Sequence, residues 1–386
     1  MVEKKRKLRY GMVGGGAPTS VGVIHRNALC LNRDAELVCG AFSHDFATSQ
    51  KEGAEFGVAT DRIYHSHEDM AEQEARRPDG IDFAVICTPN AYHYPAAKAF
   101  MEKGINVACD KPLCLTPQEA EDLKKTAQEN NVLFCLTHTF TGHLVSREAR
   151  ALYRRGVIGE LRTVVVEYPQ DWLVDALEKE TEETKTWRSV PELSGRGAAI
   201  GDIGSHMENW VHFVTGLRVE KVLANLEAIG KGTMLDNNFQ VIVKYDNGAS
   251  GFFWGSQVAI GYDNAFKVML LGEKGSIEFW QENNNYLTLR LRNQPMQVIS
   301  RGSAYCQPES LKYVRTPKGH PEGLTEAFAN IYKSFTDAIY DKMDGKAIDE
   351  DSYGYPTIDM GADGVRFFNA CVDSQENGNT WVATGK

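Results

Sequence analysis

The hydrophobic pattern changes character about a third of the way along the chain. Up to residue 137, short apolar runs alternate with stretches whose apolar residues recur at helical spacing. Residues 8–13 read as a strand that enters Gly14-Gly15-Gly16. A helical pattern follows over 21–31, then a second strand over 35–42. Further strands are expected at 81–88, 105–109 and 132–137, with helices at 94–103 and 117–130. Thr116 caps the last of these helices, Pro117 takes its first position, and Glu119 lies three residues after the cap. Strands separated by helices predict an α/β domain with a parallel, doubly wound sheet.

After Gly142 a helix over 143–155 leads into strand-like runs at 161–168, 219–228, 239–245, 249–256, 266–271, 277–281 and 286–291. Asp246-Asn247-Gly248 between two of them is a hairpin signal. An α+β half with a largely antiparallel open sheet is expected. Helices return at 320–340 and 363–373. The domains are therefore placed at 1–142 and 143–386, with the option left open that the last helix packs back on the first domain.

Within the second half, residues 201–216 stand out as a helix. Ile203, Met207, Trp210 and Val214 form an apolar stripe that ends at Gly216. Asp202, His206 and Asn209 form a second stripe, turned by about 100°. Asp202 and His206 are one turn apart, so their side chains can meet. One reading is an acid favoured by the helix dipole beside a half-buried histidine. The other is an acid that orients a general base.

Composition narrows the field. The chain has 386 residues, 42% hydrophobic and 24% charged, with a net charge of −10. Beyond Lys4-Lys5-Arg6-Lys7 there is no basic cluster, which argues against nucleic acid or an anionic membrane as partner. The apolar run after it is too short and glycine-rich for a signal peptide or a spanning helix. Eight scattered cysteines without a C-x-x-C pair read as reduced thiols of a cytoplasmic protein.

The opening β–glycine turn–α–β pattern is that of a dinucleotide-binding fold. Glycines let the backbone approach a pyrophosphate, and the helix N-terminus supplies N–H donors. Gly14, Gly16 and Ala17 fall in this turn. The usual spacing would put the third glycine at Thr19, so Gly22 fills that role only if 17–19 are an insertion. In such sheets ligands bind beyond the carboxyl ends of the strands. Three features fall there: the loop Thr88-Pro89-Asn90-Ala91-Tyr92-His93, the strand end Asp110-Lys111-Pro112, and His138. Ser43 and His44 follow the second strand. Ser43 leaves room for a 2′-phosphate, no arginine adjoins it, and Asp45 could instead reach the ribose, so NAD and NADP both stay open. A metal at Asp202 and His206, or at His65-x-His67, is disfavoured by a lysine aimed at the site and by the lack of an H-E-x-x-H or cysteine–histidine cluster; none is expected.

The glycine turn, the T-P-N-x-x-H loop, the D-K-P strand end and the G-D-I-G-S-H helix, in this order, resemble the Gfo/Idh/MocA oxidoreductases, relatives of glucose–fructose oxidoreductase and inositol dehydrogenase. The resemblance spans the chain. Two departures stand out: Asp110 replaces the usual glutamate, and the glycine loop is longer. It implies Lys111, Asp202 and His206 as catalytic residues. It also implies an N-terminal Rossmann domain, with the dinucleotide held by Gly14, Gly16, Ala17, Gly22, Ser43, His44, Thr88, Pro89, Asn90, His93, Asp110 and Lys111. Substrates in the family are mostly sugars, inositols and their conjugates. His138, Tyr168, Gln170, Trp172, Trp187, Arg188 and Asn209 are the candidates to line the pocket. With no basic cluster for a phosphate, an unphosphorylated polyol, sugar or glycoside is expected. One open face of the second sheet would make a homodimer or homotetramer. Two alternatives remain: an enzyme that cleaves glycosides through transient oxidation, and a non-catalytic dinucleotide sensor.

Overall fold

The computed structural model describes residues 6–17, 20–179, 187, 190–230 and 233–385. Arg188, the charged loop at 181–185, and residues 18 and 19 of the glycine turn lie outside them. The chain divides into two compact units. The first comprises Met1–Cys114, Gln118–Thr139 and Leu324–Asp359; the second comprises Leu115–Pro117, Phe140–Gly323 and Met360–Lys386.

The first unit contains β1 (Leu8–Gly14), α1 (Ser20–Asn32), β2 (Ala35–Ala41), α2 (Phe46–Glu55), α3 (His67–Arg76), β3 (Phe83–Cys87), α4 (His93–Met101), β4 (Asn106–Cys109), α5 (Pro117–Glu129) and β5 (Phe134–Leu136). Its five strands are all parallel, in the order β2-β1-β3-β4-β5. The lateral order reverses at β1, which opens a crevice at the carboxyl ends of β1 and β3. Gly14 pairs there with Cys87. Helices α2 and α3 escape a hydrophobicity reading because they bury little: α3 covers Met70, Ala71 and Glu74 and is otherwise polar. Caps define them instead. The side chains of Asp45 and Ser66 accept from the amides of Thr48 and Asp69.

The helix Leu324–Met343 belongs to this first unit, not to the second half where local pattern places it. Its apolar stripe, Phe328, Ile331, Tyr332, Phe335 and Ile339, is buried in one core with Leu8, Tyr10, Ala28, Leu29 and Phe83. The Tyr332 hydroxyl lies 2.6 Å from His25 Nδ1, and Asn32 Nδ2 donates to Ala329 O at 2.8 Å. A parallel sheet must be covered on both faces. Here the distant helix supplies part of that cover.

The second unit is built on a nine-stranded sheet: β6 (Leu161–Pro169), β7 (Val219–Glu227), β8 (Asn238–Tyr245), β9 (Ser250–Ser256), β10 (Lys267–Gly272), β11 (Gly275–Trp280), β12 (Tyr286–Leu291), β13 (Gln297–Ser300) and β14 (Val382–Ala383). Its order is β13-β12-β11-β10-β6-β9-β8-β7-β14. All its pairings are antiparallel except β6 with β9. Alternation along the strands buries Val164, Val166, Val241, Val243, Phe253, Val268, Leu270 and Phe279 on one face. On the other face, Ile242, Phe252, Val165 and Met269 pair in one continuous row across four strands. Ile242 and Phe252 are each 43% exposed.

Candidate active site

In the first unit the glycine turn is shaped by backbone geometry. Gly14 and Gly15 have φ of 71° and 74°, in the left-handed region. A Cβ on Gly22 would stand 1.9 Å from Gly15 O. Gly22 therefore packs against Gly15 with no room for a side chain. A Cβ on Gly16 would fall 1.8 Å from Glu52 Oε2. Ala17 N donates to Glu52 Oε1 at 2.6 Å, and Arg26 Nη1 donates to Gly15 O at 2.8 Å. Nothing local in the sequence singles out Glu52 or Arg26. Thr88 Oγ1, at the end of β3, is buried and has no hydrogen-bond partner among the described residues. A close-packed glycine cradle beside an unsatisfied hydroxyl at the switch point fits a dinucleotide.

Other expected cofactor residues take part in hydrogen bonds within the chain. Asp45 Oδ2 accepts from Thr48 N at 2.9 Å and so caps α2; Ser43 Oγ in turn accepts from Asp45 N at 3.2 Å, while His44 is exposed. The ring nitrogens of His93 lie 2.6 Å from Pro112 O and 2.9 Å from Thr88 O. Both neighbours are carbonyl oxygens, so the neutral His93 ring donates to one of them, the Thr88-Pro89-Asn90 loop or the Lys111-Pro112 turn, according to its tautomer. Burial pushes its pKa down, while the Pro112 carbonyl opposes the shift. Asn90 is buried, and the Lys111–Pro112 peptide is cis. Asp110 Oδ1 accepts from Lys111 N at 2.9 Å and from Thr137 Oγ1 at 3.1 Å, which joins the ends of β4 and β5. His138 is buried, and burial together with the Lys111 charge drives its pKa well below the usual range. It sits at this rim as a neutral imidazole.

In the second unit the helix expected at 201–216 begins as a wide π turn, Ile200–Gly204, and continues as an α-helix over Ser205–Thr215. Such turns concentrate at functional sites. Both carboxylate oxygens of Asp236 hold the entry: one accepts from Ala198 N and the other from Ile200 N, each at 2.7 Å. Gly216, at φ 75°, closes the helix by donating to His212 O. Ile203, Met207, Trp210 and Val214 are buried as the stripe predicts, and Trp210 Nε1 donates to Ser146 Oγ at 2.9 Å.

Asp202 Oδ2 accepts from Gln257 Nε2 at 2.8 Å, and Gln257 is itself buried just past β9. The His206 ring lies against Phe140, with centroids 4.9 Å apart, and 6.5 Å from Tyr168. Tyr168 is buried. Burial and the Asp202 charge hold its phenol well above the usual range, so it stays protonated. Its hydroxyl donates to Asn264 Oδ1 at 2.8 Å; Gln170 Nε2 donates to the same oxygen at 2.6 Å, and Trp172 Nε1 donates to Gln170 Oε1 at 3.2 Å. Asn209 is fully buried, and its amide N and O lack partners among the described residues. Trp187 is half-buried. Sequence reasoning misses Gln257, Asn264 and Asp236 because they come from 55, 96 and 36 residues away from their partners.

Taken together, a glycine-cradle Rossmann unit and a sheet unit whose helix carries Asp202 and His206 fit an NAD(P)-dependent oxidoreductase. The chain belongs to the GFO/IDH/MocA family: residues 8–138 match its oxidoreductase model with an NAD-binding Rossmann fold, and residues 146–278 match its C-terminal domain. It is 32% identical over 380 residues to the uncharacterized oxidoreductase YfiI of Bacillus subtilis strain 168, covering 98% of this chain and 97% of that protein. A crystal structure of an inositol dehydrogenase homolog from Azotobacter vinelandii complexed with NAD+ is similar, with a TM-score of 0.91 and 35% identity over 98% of this chain and 97% of that one. The same homolog complexed with NADH and myo-inositol gives a TM-score of 0.89 and 34% identity, covering 98% of each chain. Inositol 2-dehydrogenase of Rhizobium meliloti strain 1021 is 25% identical over 340 residues, 86% of this chain and 88% of that protein.

Proposed function

We propose that the protein oxidises a secondary hydroxyl of an unphosphorylated cyclic polyol, sugar or glycoside to a ketone. The observation that carries this reading is Asp202, held by Gln257 on the same helix as His206, beside an aromatic wall of Phe140 and Tyr168. His206 takes the hydroxyl proton. Asp202 fixes its tautomer and stabilises the imidazolium. Lys111 supplies the ammonium that stabilises developing alkoxide charge. A nicotinamide dinucleotide held at the glycine turn would supply the hydride acceptor. NAD is favoured over NADP, since no arginine adjoins Ser43 and the similar solved structures hold NAD+ or NADH.

The apolar row of Ile242, Phe252, Val165 and Met269 is larger than isolated exposed residues would make, and we assign it to contact with a second copy of this chain. Sedimentation of Phe252→Glu tests this: a lighter species than wild type is expected, and an unchanged one removes the assignment. A cytoplasmic location agrees with eight cysteines that form no disulfide with one another.

The test of the reaction is a panel of inositols, hexoses and glycosides with NAD and NADP, read as absorbance of the reduced cofactor. NADH is expected to accumulate with at least one of them. Glycoside cleavage without net NADH would replace this reading by one of transient oxidation.

A further inference from the structure

The donors beside the catalytic helix have a fixed direction. An indole N–H can only donate, so the Gln170 atom 3.2 Å from Trp172 Nε1 must be its carbonyl oxygen. That turns the Gln170 amide nitrogen toward Asn264, at 2.6 Å, where the receiving atom must be Oδ1. The Tyr168 hydroxyl, kept protonated by burial, donates to the same oxygen at 2.8 Å. Asn264 Oδ1 is thereby filled by two donors, and the amide has one orientation. No hydrogen bond among the described residues uses Asn264 Nδ2. Asn264 is half-buried in the loop that leads into β10. Its backbone is anchored on both sides, with Asn264 N donating to Glu282 Oε1 at 2.9 Å and Ala265 N donating to Pro169 O at 3.1 Å. The Trp172 ring that begins the relay is 39% exposed.

We propose that Asn264 is a specificity-determining residue whose NH2 group donates to an acceptor oxygen of the substrate ring, with Trp172 offering its indole face beside it. This rests on the sugar or polyol reading above. A pre-oriented amide spends no torsional freedom on binding and rejects a group that presents only a proton. An aromatic face next to a fixed polar donor suits a pyranose, whose C–H faces are apolar and whose ring and glycosidic oxygens only accept. Tyr168 and Gln170 act through Asn264 as positioning residues; they need not touch the sugar.

Methyl α-D-glucopyranoside, methyl β-D-glucopyranoside and myo-inositol serve as probes. Each is titrated calorimetrically into the NADH-loaded protein, and each is assayed for NAD reduction. Asn264→Ala is expected to weaken binding of the probe that wild type prefers by about 3- to 15-fold, the worth of one neutral hydrogen bond, with KM rising more than kcat falls. Asn264→Asp, which turns an acceptor and a charge outward, should weaken it further. Trp172→Phe keeps an aromatic face but removes the N–H that sets the relay, so a smaller loss is expected, and one less than additive with Asn264→Ala. If wild type binds and oxidises a probe and both Asn264 variants, folded by circular dichroism, bind it within twofold of wild type, the role of Asn264 is overturned and the reaction stands. If wild type neither binds nor oxidises any probe, the sugar reading falls and takes this assignment with it.

Discussion

The two units prepare for their ligands by different means. The first does so mainly with backbone: left-handed Gly14 and Gly15, a Gly22 with no room for a Cβ, and strand ends tied by His93 to a main-chain carbonyl and by Asp110 to the Lys111 amide. The second does so with side chains held by other side chains: Gln257 on Asp202, and Trp172, Gln170 and Tyr168 converging on Asn264. A backbone cradle suits a cofactor that is the same in every turnover. Side-chain relays suit a substrate that must be told from its isomers. The contrast predicts that damage to the first unit shows in cofactor affinity and damage to the second in turnover or KM.

The largest effect expected from a single change is in the second unit. His206→Ala should lower kcat by about 10²–10⁴-fold, the usual worth of a positioned acid–base group. NADH affinity, read by fluorescence titration, should stay near wild type. Normal turnover would reduce His206 to a packed ring against Phe140, and a large loss of NADH affinity would break the division of labour. Gly22→Ala is the matching test in the first unit. The new methyl would stand 1.9 Å from Gly15 O, so the helix start must move. NADH dissociation should rise by about 10- to 100-fold, as overpacking against backbone costs on the order of 1–3 kcal/mol. Unchanged affinity in the folded variant would mean that the pyrophosphate does not sit on this turn.

The same contrast explains what could be read from sequence. Glycine turns and strand ends are contiguous, so the cradle, the Thr88-Pro89-Asn90 loop and the Lys111 turn are visible as short motifs. The apolar stripe of the 205–215 helix is visible for the same reason. Residues that act across the fold are not. Gln257 follows a strand with nothing to mark it, and Asn264 lies in a loop between strands. The helix Leu324–Met343 has an ordinary amphipathic pattern that says nothing about which sheet it covers. His93 and Asp45 were legible as polar groups near a ligand rim. Only the structure shows their hydrogen bonds within the chain. The π turn at Ile200–Gly204 has no local signature, because Asp236, 36 residues on, holds it.

A smaller effect is expected at Gln257. Its amide gives Asp202 a fixed donor, and Asp202 in turn is read as orienting His206. Gln257→Leu removes the donor to a charged acceptor, worth about 1.5–3 kcal/mol at most. Asp202 has further interactions, so the loss in kcat should lie near the low end, about tenfold. The loss should fall on kcat, with NADH affinity unmoved. A change confined to thermal stability would show Gln257 to be a packing residue only.

The smallest effect on activity belongs to Asp236, and it is best read in stability. Burial pushes the pKa of its carboxyl up to about 6, against the opposing pull of the Ile200 and Ala198 amides. A carboxyl whose pKa is higher in the folded than in the unfolded protein favours folding while it is protonated. That contribution is complete below about pH 4 and is lost as pH rises through about 6. A shift of roughly two units corresponds to about 3 kcal/mol across this window. Asp236→Asn removes the titration. It keeps an oxygen for one of the two amides and leaves the other without its acceptor, a cost of about 1–3 kcal/mol. The ionised carboxylate that wild type must bury at pH 7 is gone in the variant, so the two effects largely offset each other near neutrality. The variant should therefore be less stable than wild type near pH 4 and close to it at pH 7. Melting temperatures of both proteins between pH 4 and 7 measure this directly. If the gap between them stays constant across that range, Asp236 does not titrate there, and the entry to the Asp202 helix is held by a carboxylate that stays ionised throughout.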